Sequence, residues 1–168
     1  MLYHNDGVLT LRILFIITLL ALQGCMSTDV VSKGPLFTYG GQPAAQESIA
    51  YFYQFDMPGV NSCLLVGIDG TYRECIGYPG YTQVNIASGN KEVSFTPNAP
   101  IKIANLDFQF GFEAGKEYFF IYQLSSKKSA NDIEIKTQYN MLLDATYGWY
   151  LVEKQEALSA LQELRSWQ

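Results

Sequence analysis

Apolar and polar residues alternate over most of the chain between residues 49 and 152, a pattern that is typical of β-strands. Glycine, proline, asparagine and aspartate interrupt the alternation at short intervals and mark the turns between strands. The predicted strands are 49–55, 63–68, 71–76, 81–87, 91–96, 106–112, 117–124 and 145–152. Both sets of alternating positions in the first strand carry aromatic residues, so we expect both of its faces to be covered.

Two turns that contain glycine are predicted to join neighbouring strands as hairpins. Asp69-Gly70 lies between two apolar runs, and both residue types accept the positive φ that tight hairpin turns need. Ser88-Gly89-Asn90 stands between strands 81–87 and 91–96 in a similar way, so these two strands are also expected to pair.

Two stretches between the predicted strands are less regular. The isoleucines just before residue 104 fall on odd positions, whereas the apolar residues of 106–112 fall on even ones. A shift of one residue reverses the faces of a strand, so we predict a bulge or a break near Ala104-Asn105. Residues 125–140 are mostly polar and are predicted to form a long loop. The alternative is that this loop contains a short strand at 133–135.

The last predicted element is a helix over residues 153–167. Its apolar residues recur at helical spacing and fall on one face. That face consists of Ala157, Leu158, Leu161, Leu164 and Trp167. We expect this face to pack against a sheet. A partner-binding or membrane-surface helix is the alternative, although an acidic polar face does not favour a membrane.

The N-terminal region has a different pattern, with a ten-residue apolar run at 13–22 after the single basic residue Arg12. A helix that crosses a bilayer needs about 20 apolar residues, whereas runs of about 10–14 are typical of signal-peptide cores. The run leads into Gln23-Gly24-Cys25, which resembles the lipobox of bacterial lipoproteins. That resemblance implies cleavage between Gly24 and Cys25, a diacylglycerol on the Cys25 sulfur and acylation of the new amino terminus. An ordinary secretory signal or a short uncleaved anchor is the alternative.

These features divide the chain into three parts. Residues 1–24 are predicted to be the signal peptide, 25–47 the acylated cysteine with a flexible tether, and 48–168 the β-domain with its C-terminal helix. The tether is inferred from its polar residues, glycines and prolines, with a short edge strand at 36–39 as the alternative. Met26 stands where lipoproteins retained in the inner membrane typically carry Asp, so the resemblance implies the outer membrane, facing the periplasm.

Composition argues against several classes of function. The 168 residues carry 16 acidic and 11 basic side chains, a net charge of −5. This balance argues against binding nucleic acid, whose phosphates are neutralised by Lys and Arg. The only histidine, His4, lies in the predicted signal peptide, so a histidine-dependent hydrolase is not expected.

No motif in the chain predicts a metal site, a cofactor or an enzyme. The sequence has no zinc- or calcium-ligand pattern and no glycine-rich phosphate loop ahead of a helix. The run Ser125-Ser126-Lys127-Lys128 leaves a Ser–Lys hydrolase as a distant alternative to a non-enzymatic role.

Cys63 and Cys75 remain as a pair once Cys25 is assigned to the lipid, and an oxidising envelope favours a disulfide between them. A three-residue loop at 68–70 would place the two cysteines directly opposite each other, whereas a two-residue turn would put them out of register. We therefore predict the three-residue loop and the disulfide, with two buried free thiols as the alternative.

The order of these motifs resembles that of an uncharacterised family of small bacterial lipoproteins that carry a domain of unknown function. The shared features are the first aromatic strand, the Asp69-Gly70 hairpin, the Gly80-Tyr81 step, the turn at Gly89 and the strand entry Ala114-Gly115-Lys116-Glu117-Tyr118-Phe119. Ser88-Gly89-Asn90 replaces a Pro-Gly turn of the family, and Phe119 replaces its second Tyr. The resemblance covers about residues 48–124. It implies a small antiparallel, prealbumin-like β-sandwich with no assigned activity and no catalytic residues.

We therefore expect a membrane-anchored envelope lipoprotein that is not an enzyme and that binds another envelope protein. The alternative is a peptidoglycan- or glycan-binding module that uses exposed tyrosines, for which Tyr78 and Tyr81 are the candidates. The motif Gly77-Tyr78-Pro79-Gly80-Tyr81 is otherwise a turn whose tyrosines flank the core. An envelope hydrolase is a distant third.

Overall fold

The computed structural model describes residues 32–55, 63–97, 106–141 and 143–167, and in these ranges the chain forms nine β-strands and one α-helix. The strands are β1 (Glu47–Gln54), β2 (Leu64–Ile68), β3 (Thr71–Ile76), β4 (Gly80–Ala87), β5 (Gly89–Pro97), β6 (Phe108–Phe112), β7 (Glu117–Leu124), β8 (Ile133–Asn140) and β9 (Ala145–Leu151). The helix α1 (Lys154–Leu161) follows β9, and a short 3-10 helix (Ser125–Lys127) follows β7. The predicted signal peptide, Gly24, Cys25 and the predicted bulge near Ala104-Asn105 lie outside the described residues.

The nine strands form two sheets that face each other. One sheet has five strands in the order β4-β1-β7-β9-β8, and the other has four in the order β3-β2-β5-β6. Neighbouring strands are antiparallel except β1 and β7, which are parallel. The prediction of a mainly β sandwich with a C-terminal helix is confirmed.

Aromatic side chains fill the space between the two sheets. Phe52 from β1 stacks on Phe120 from β7 with ring centroids 5.1 Å apart. Phe95 from the four-stranded sheet stacks on Trp149 from the five-stranded sheet at 4.3 Å. Each ring of this size removes a large apolar area from water, so contacts across the interface hold the two sheets together.

The five-stranded sheet carries a second core on its outer face. Tyr51 and Phe119 stack there at 4.8 Å, and α1 covers them with the buried residues Ala157 and Leu161. Leu164 is also buried in this cluster, beyond the end of the helix. The prediction that the first strand is covered on both faces is therefore confirmed.

The predicted hairpin between β4 and β5 is wrong, because the two strands belong to different sheets. β4 pairs with β1, whereas β5 pairs with β2 and β6. Gly89, with φ of 118°, opens β5 just after the end of β4. Both strands turn their apolar residues towards the same inter-sheet core, so their alternation is the same as in a hairpin.

The predicted three-residue loop between β2 and β3 is also wrong. Asp69 and Gly70 form a two-residue turn with φ of 47° and 74°, and Ile68 pairs with Thr71. Two positive φ values match the twist of the flanking strands, which explains why the shorter turn is favoured. Further along, Leu65 pairs with Cys75, so a bulge has shifted the register by one residue.

Two predictions near the C-terminus need correction. Residues 133–140 form a full edge strand, β8, instead of a polar loop with a short strand. The sequence pattern was weak because most of this strand is exposed. The predicted helix 153–167 ends at Leu161, and residues 164–166 are extended. Arg165 pairs with Leu36, and Ser166 pairs with Tyr81. These contacts with distant parts of the chain stabilise the extended form, although the apolar residues have helical spacing.

Candidate binding surfaces

Residues 32–39, here called the strap, lie across the domain although they belong to the predicted flexible tether. The amide of Gly34 donates to the Ser166 carbonyl at 2.9 Å, and the amide of Ser166 donates to the Pro35 carbonyl at 3.0 Å. The alternative for this stretch is a short edge strand at 36–39. The structure has a single β-bridge there, between Leu36 and Arg165. Phe37 adds an apolar contact, because its ring lies edge-on to Tyr81 at 5.3 Å.

The first residue of the strap is held by two glycines. Ser32 is buried, and its side chain occupies the space that a Cβ at Gly77 or Gly80 would need. These glycines therefore have a packing role in addition to their place at the turn that leads into β4. A side chain at either position would push the strap away from the domain.

Tyr39, the last residue of the strap, is held by contacts with two charged side chains. The Tyr39 hydroxyl donates to the Glu117 carboxylate at 2.9 Å, and the Lys154 ammonium lies 4.6 Å above the centre of the Tyr39 ring. Lys154 also forms an ion pair with Glu117. The hydrogen bond to Glu117, followed by the one to Tyr39, raises the pKa of Lys154. This lysine therefore stays charged and acts as a clamp rather than as a base.

Cys63 and Cys75 form a disulfide with a Cα–Cα distance of 5.5 Å. This is the pair that the sequence predicts, but its register differs. Cys75 lies opposite Leu65, so the bridge runs diagonally from the residue before β2 to β3. The disulfide ties the two strands together beyond the bulge.

The two tyrosines predicted to face a ligand do not form a common surface. Tyr81 packs against the outer core beneath the strap, whereas Tyr78 packs against the core between the sheets. Burial, followed by the charge of Glu74, raises the pKa of Tyr81. Both rings therefore flank the core, as in the alternative interpretation of this motif.

A groove of about 440 Å³ runs between β3 and β4, the end strands of the two sheets. It is lined by Tyr72, Arg73, Glu74, Gln83, Val84 and Asn85. The Thr82 hydroxyl donates to the Glu74 carboxylate at 3.0 Å and so links the two strands. The lining offers both hydrogen-bond donors and acceptors, and its one arginine and one glutamate balance in charge.

Tyr72 gives this groove a fixed aromatic side chain. The residue is 51% exposed, and its hydroxyl shares a 2.8 Å hydrogen bond with Thr96. Gly67 is its partner across the hairpin, and a Cβ there would lie only 3.2 Å from the ring. The ring thus rests on Gly67. Sequence analysis missed Tyr72 because the groove depends on which strands end each sheet.

The turn between β8 and β9 exposes apolar side chains. Tyr139, Met141 and Leu143, here called the hairpin tip, are 54%, 82% and 42% exposed. The Tyr139 hydroxyl donates to the Asp144 carboxylate at 2.5 Å, which fixes the ring beside the turn. Exposed apolar side chains that are close together often mark a site of contact with a partner or a membrane.

The described residues hold no cluster of His, Cys, Asp or Glu that could bind a metal ion. Within the same ranges, no helix is long and apolar enough to cross a bilayer. Ser125, the serine of the distant hydrolase alternative, accepts a hydrogen bond from the Tyr150 hydroxyl at 2.6 Å.

Neither a family model nor a curated protein matches this sequence. The resemblance to the lipoprotein family therefore stays a prediction.

Proposed function

We propose that this protein is a lipoprotein of the bacterial envelope, anchored through acylated Cys25, that binds another envelope protein without catalysing a reaction. The apolar run 13–22 followed by Gly24-Cys25 supports the anchor. Met26 after the cysteine supports the outer membrane, with the domain facing the periplasm.

The strap supports a short tether. Only six residues, or seven steps along the chain, separate Cys25 from Ser32, where the chain is already packed on the domain. A fully extended chain covers at most about 3.6 Å per residue, so Ser32 lies within about 25 Å of the anchor. The domain would stay close to the membrane, so a partner within its reach would lie near the same surface.

The observation that carries the binding proposal is the pair of strand edges along the β3–β4 groove. At Tyr81 the outer edge of β4 already accepts the chain's own C-terminal segment, since the Tyr81 amide donates to the Arg165 carbonyl at 3.2 Å. Further along β4, at Gln83 and Asn85, no strand of the described part of the chain pairs with this edge.

An extended segment of a partner protein would fit such an edge by strand addition. Its backbone would pair with β3 or β4, and its side chains would meet Arg73, Glu74, Gln83 and Asn85. Main-chain hydrogen bonds supply affinity in this mode, and the side-chain contacts supply specificity. The balanced charge of the lining favours a polar, near-neutral partner segment.

Site-specific photo-crosslinking in intact cells tests this proposal. A photoreactive residue at Gln83 should give a defined adduct with one envelope protein. The same residue at Gln109 is the matched control, because Gln109 is also an exposed glutamine on the end strand of a sheet. Equal adducts at both positions, or none at Gln83, would contradict the proposal.

The fixed ring of Tyr72 favours a second candidate function, a glycan-binding module. A ring with one supported face and one open face can stack on a sugar, while planar polar side chains bond its hydroxyl groups. Sedimentation with purified cell wall separates the two functions. Loss of sedimentation for Tyr72→Ala but not for Tyr139→Ala, which removes a similarly exposed tyrosine, would favour the glycan.

A further inference from the structure

The hairpin tip and the start of the strap lie at the same end of the sandwich. Ser32 packs against Gly80, which begins β4 and pairs with Gln54 at the end of β1. This end, where β1 ends and β4 begins, is called the anchor end. It is the end of the domain from which the chain leads back to Cys25.

Strand directions place the hairpin tip at the anchor end as well. β7 is parallel to β1 and pairs Tyr122 with Gln54, so β7 also ends there. β9 is antiparallel to β7 and pairs Tyr147 with Leu124, so β9 begins there. The turn from β8 into β9 therefore projects from the anchor end, on the opposite side of the five-stranded sheet from β4.

We infer that the hairpin tip seats in the surface of the bilayer that holds the lipid anchor. This inference rests on the acylation of Cys25 proposed above. Neighbouring strands are about 4.8 Å apart, so the tip lies roughly 15–20 Å across the sheet from β4. The tether reaches at most about 25 Å, so Ser32 and the tip can approach one flat surface together.

The chemistry of the anchor end fits a membrane surface. Met141 and Leu143 are exposed apolar side chains on a projecting turn, and Tyr139 has an apolar ring with a polar hydroxyl. Lys127 and Lys128 are exposed just beyond the end of β7, at the same end of the domain. Apolar side chains flanked by tyrosine and lysine are the types that lie well at a lipid interface.

The bilayer contact has a consequence for the β3–β4 groove. Two contacts, the acyl chains and the tip, restrict the rotation of the domain more than one contact does. The anchor end faces the lipid, so the groove runs from the membrane outwards along the side of the sandwich. A partner segment would then be presented to it roughly along the membrane normal.

A fluorescent label at residue 141 tests the inference in the full-length acylated protein. In Met141→Cys the new thiol is the one available for labelling, since Cys25 carries lipid and Cys63 is bonded to Cys75. In phosphatidylethanolamine–phosphatidylglycerol vesicles, an environment-sensitive label at 141 should brighten several-fold and be quenched by nitroxide lipids. The same label in Ala114→Cys, in the turn at the other end of the sandwich, should not change.

Flotation of the vesicles shows whether the protein is attached to lipid, so it distinguishes failure of the bilayer contact from failure of the proposed lipid anchor. A protein that floats but has equally dim labels at 141 and 114 overturns the bilayer contact alone. A protein that does not float overturns the anchor and the contact together. Leu143→Asp should dim the label at 141 without changing flotation, because the acyl chains carry the attachment. A label that brightens only when soluble envelope proteins are added, without vesicles, overturns the contact in favour of a protein partner.

Discussion

Replacing Gly34 with alanine should detach the strap from the domain. A Cβ at residue 34 would lie 2.6 Å from the carbonyl oxygen of Ser166 and 3.0 Å from its carbonyl carbon. These are backbone atoms, which cannot rotate away as a side chain can. The substitution should therefore break the two backbone hydrogen bonds that join Gly34 and Pro35 to Ser166. Each such bond contributes about 0.5–1.5 kcal/mol, so the loss is about 1–3 kcal/mol.

Scanning calorimetry of the purified protein measures this loss. For a domain of this size about 1 kcal/mol lowers the melting temperature by about 3 °C, so Gly34→Ala should melt about 3–9 °C lower. It should also be cut faster by protease near the strap. Gly40→Ala is the matched control, because its nearest neighbour would be 3.8 Å away. If Gly34→Ala melts like the unchanged protein, the strap contributes nothing to stability and the reasoning is wrong.

The remaining predictions concern the anchor, the helix and a buried hydroxyl. Cys25→Ser should leave the protein in the soluble fraction or unprocessed, as cell fractionation and immunoblotting will show; unchanged membrane attachment would contradict the anchor. Leu161→Ala removes a fully buried side chain and should cost about 2–5 kcal/mol in urea unfolding, whereas exposed Ser159→Ala should stay within about 0.5 kcal/mol. Burial, then the charge of Glu117, raises the pKa of Tyr51 to about 12 from 10.0. The unfolded chain releases this proton first, so the contribution of Tyr51 to stability is fully present below pH 10.0 and is lost as the pH rises towards about 12. Tyr51→Phe should make that fall less steep without abolishing it, because burial also raises the pKa of Tyr53 and Tyr122. The substitution should not weaken the protein at neutral pH, since the hydroxyl has no hydrogen-bond partner among the described residues; an equally steep fall would contradict the assignment.

Strand positions could be predicted from the sequence because alternation is a local property of each strand. In β4, Val84 and Ile86 point inwards while Gln83 and Asn85 point outwards, as the pattern indicates. Pairing could not be predicted in the same way. The apolar residues of β4 and β5 face the same core, so the alternation in each strand fits either a hairpin or a place in opposite sheets. Which of the two arrangements forms depends on how all the strands pair.

Tertiary contacts decide the elements that the sequence analysis missed. Leu164 has helical spacing from Leu161, yet it is buried in an extended segment that pairs with the strap. Phe37 lies in a polar stretch rich in glycine and proline, and its partners Tyr51 and Tyr81 are distant in sequence. A glycine-rich segment that folds back on a sheet has the same composition as a flexible tether.

The groove was missed for a related reason. Tyr72 has the alternation of an ordinary hairpin strand, and only the order of strands makes β3 the end of its sheet. The motif of residues 77–81 predicts that Tyr78 and Tyr81 face a ligand. Both lie against cores on different faces of the five-stranded sheet, and no local sequence signal distinguishes their positions.

Both the envelope partner and the bilayer contact depend on acylation of Cys25, so the intact mass of the protein extracted from membranes is the most direct test. The proposed function predicts a chain that begins at Cys25, carries the mass of its acyl groups and lacks two hydrogens for the Cys63–Cys75 bond. A mass that fits a chain beginning at another residue, with no lipid attached, would contradict it.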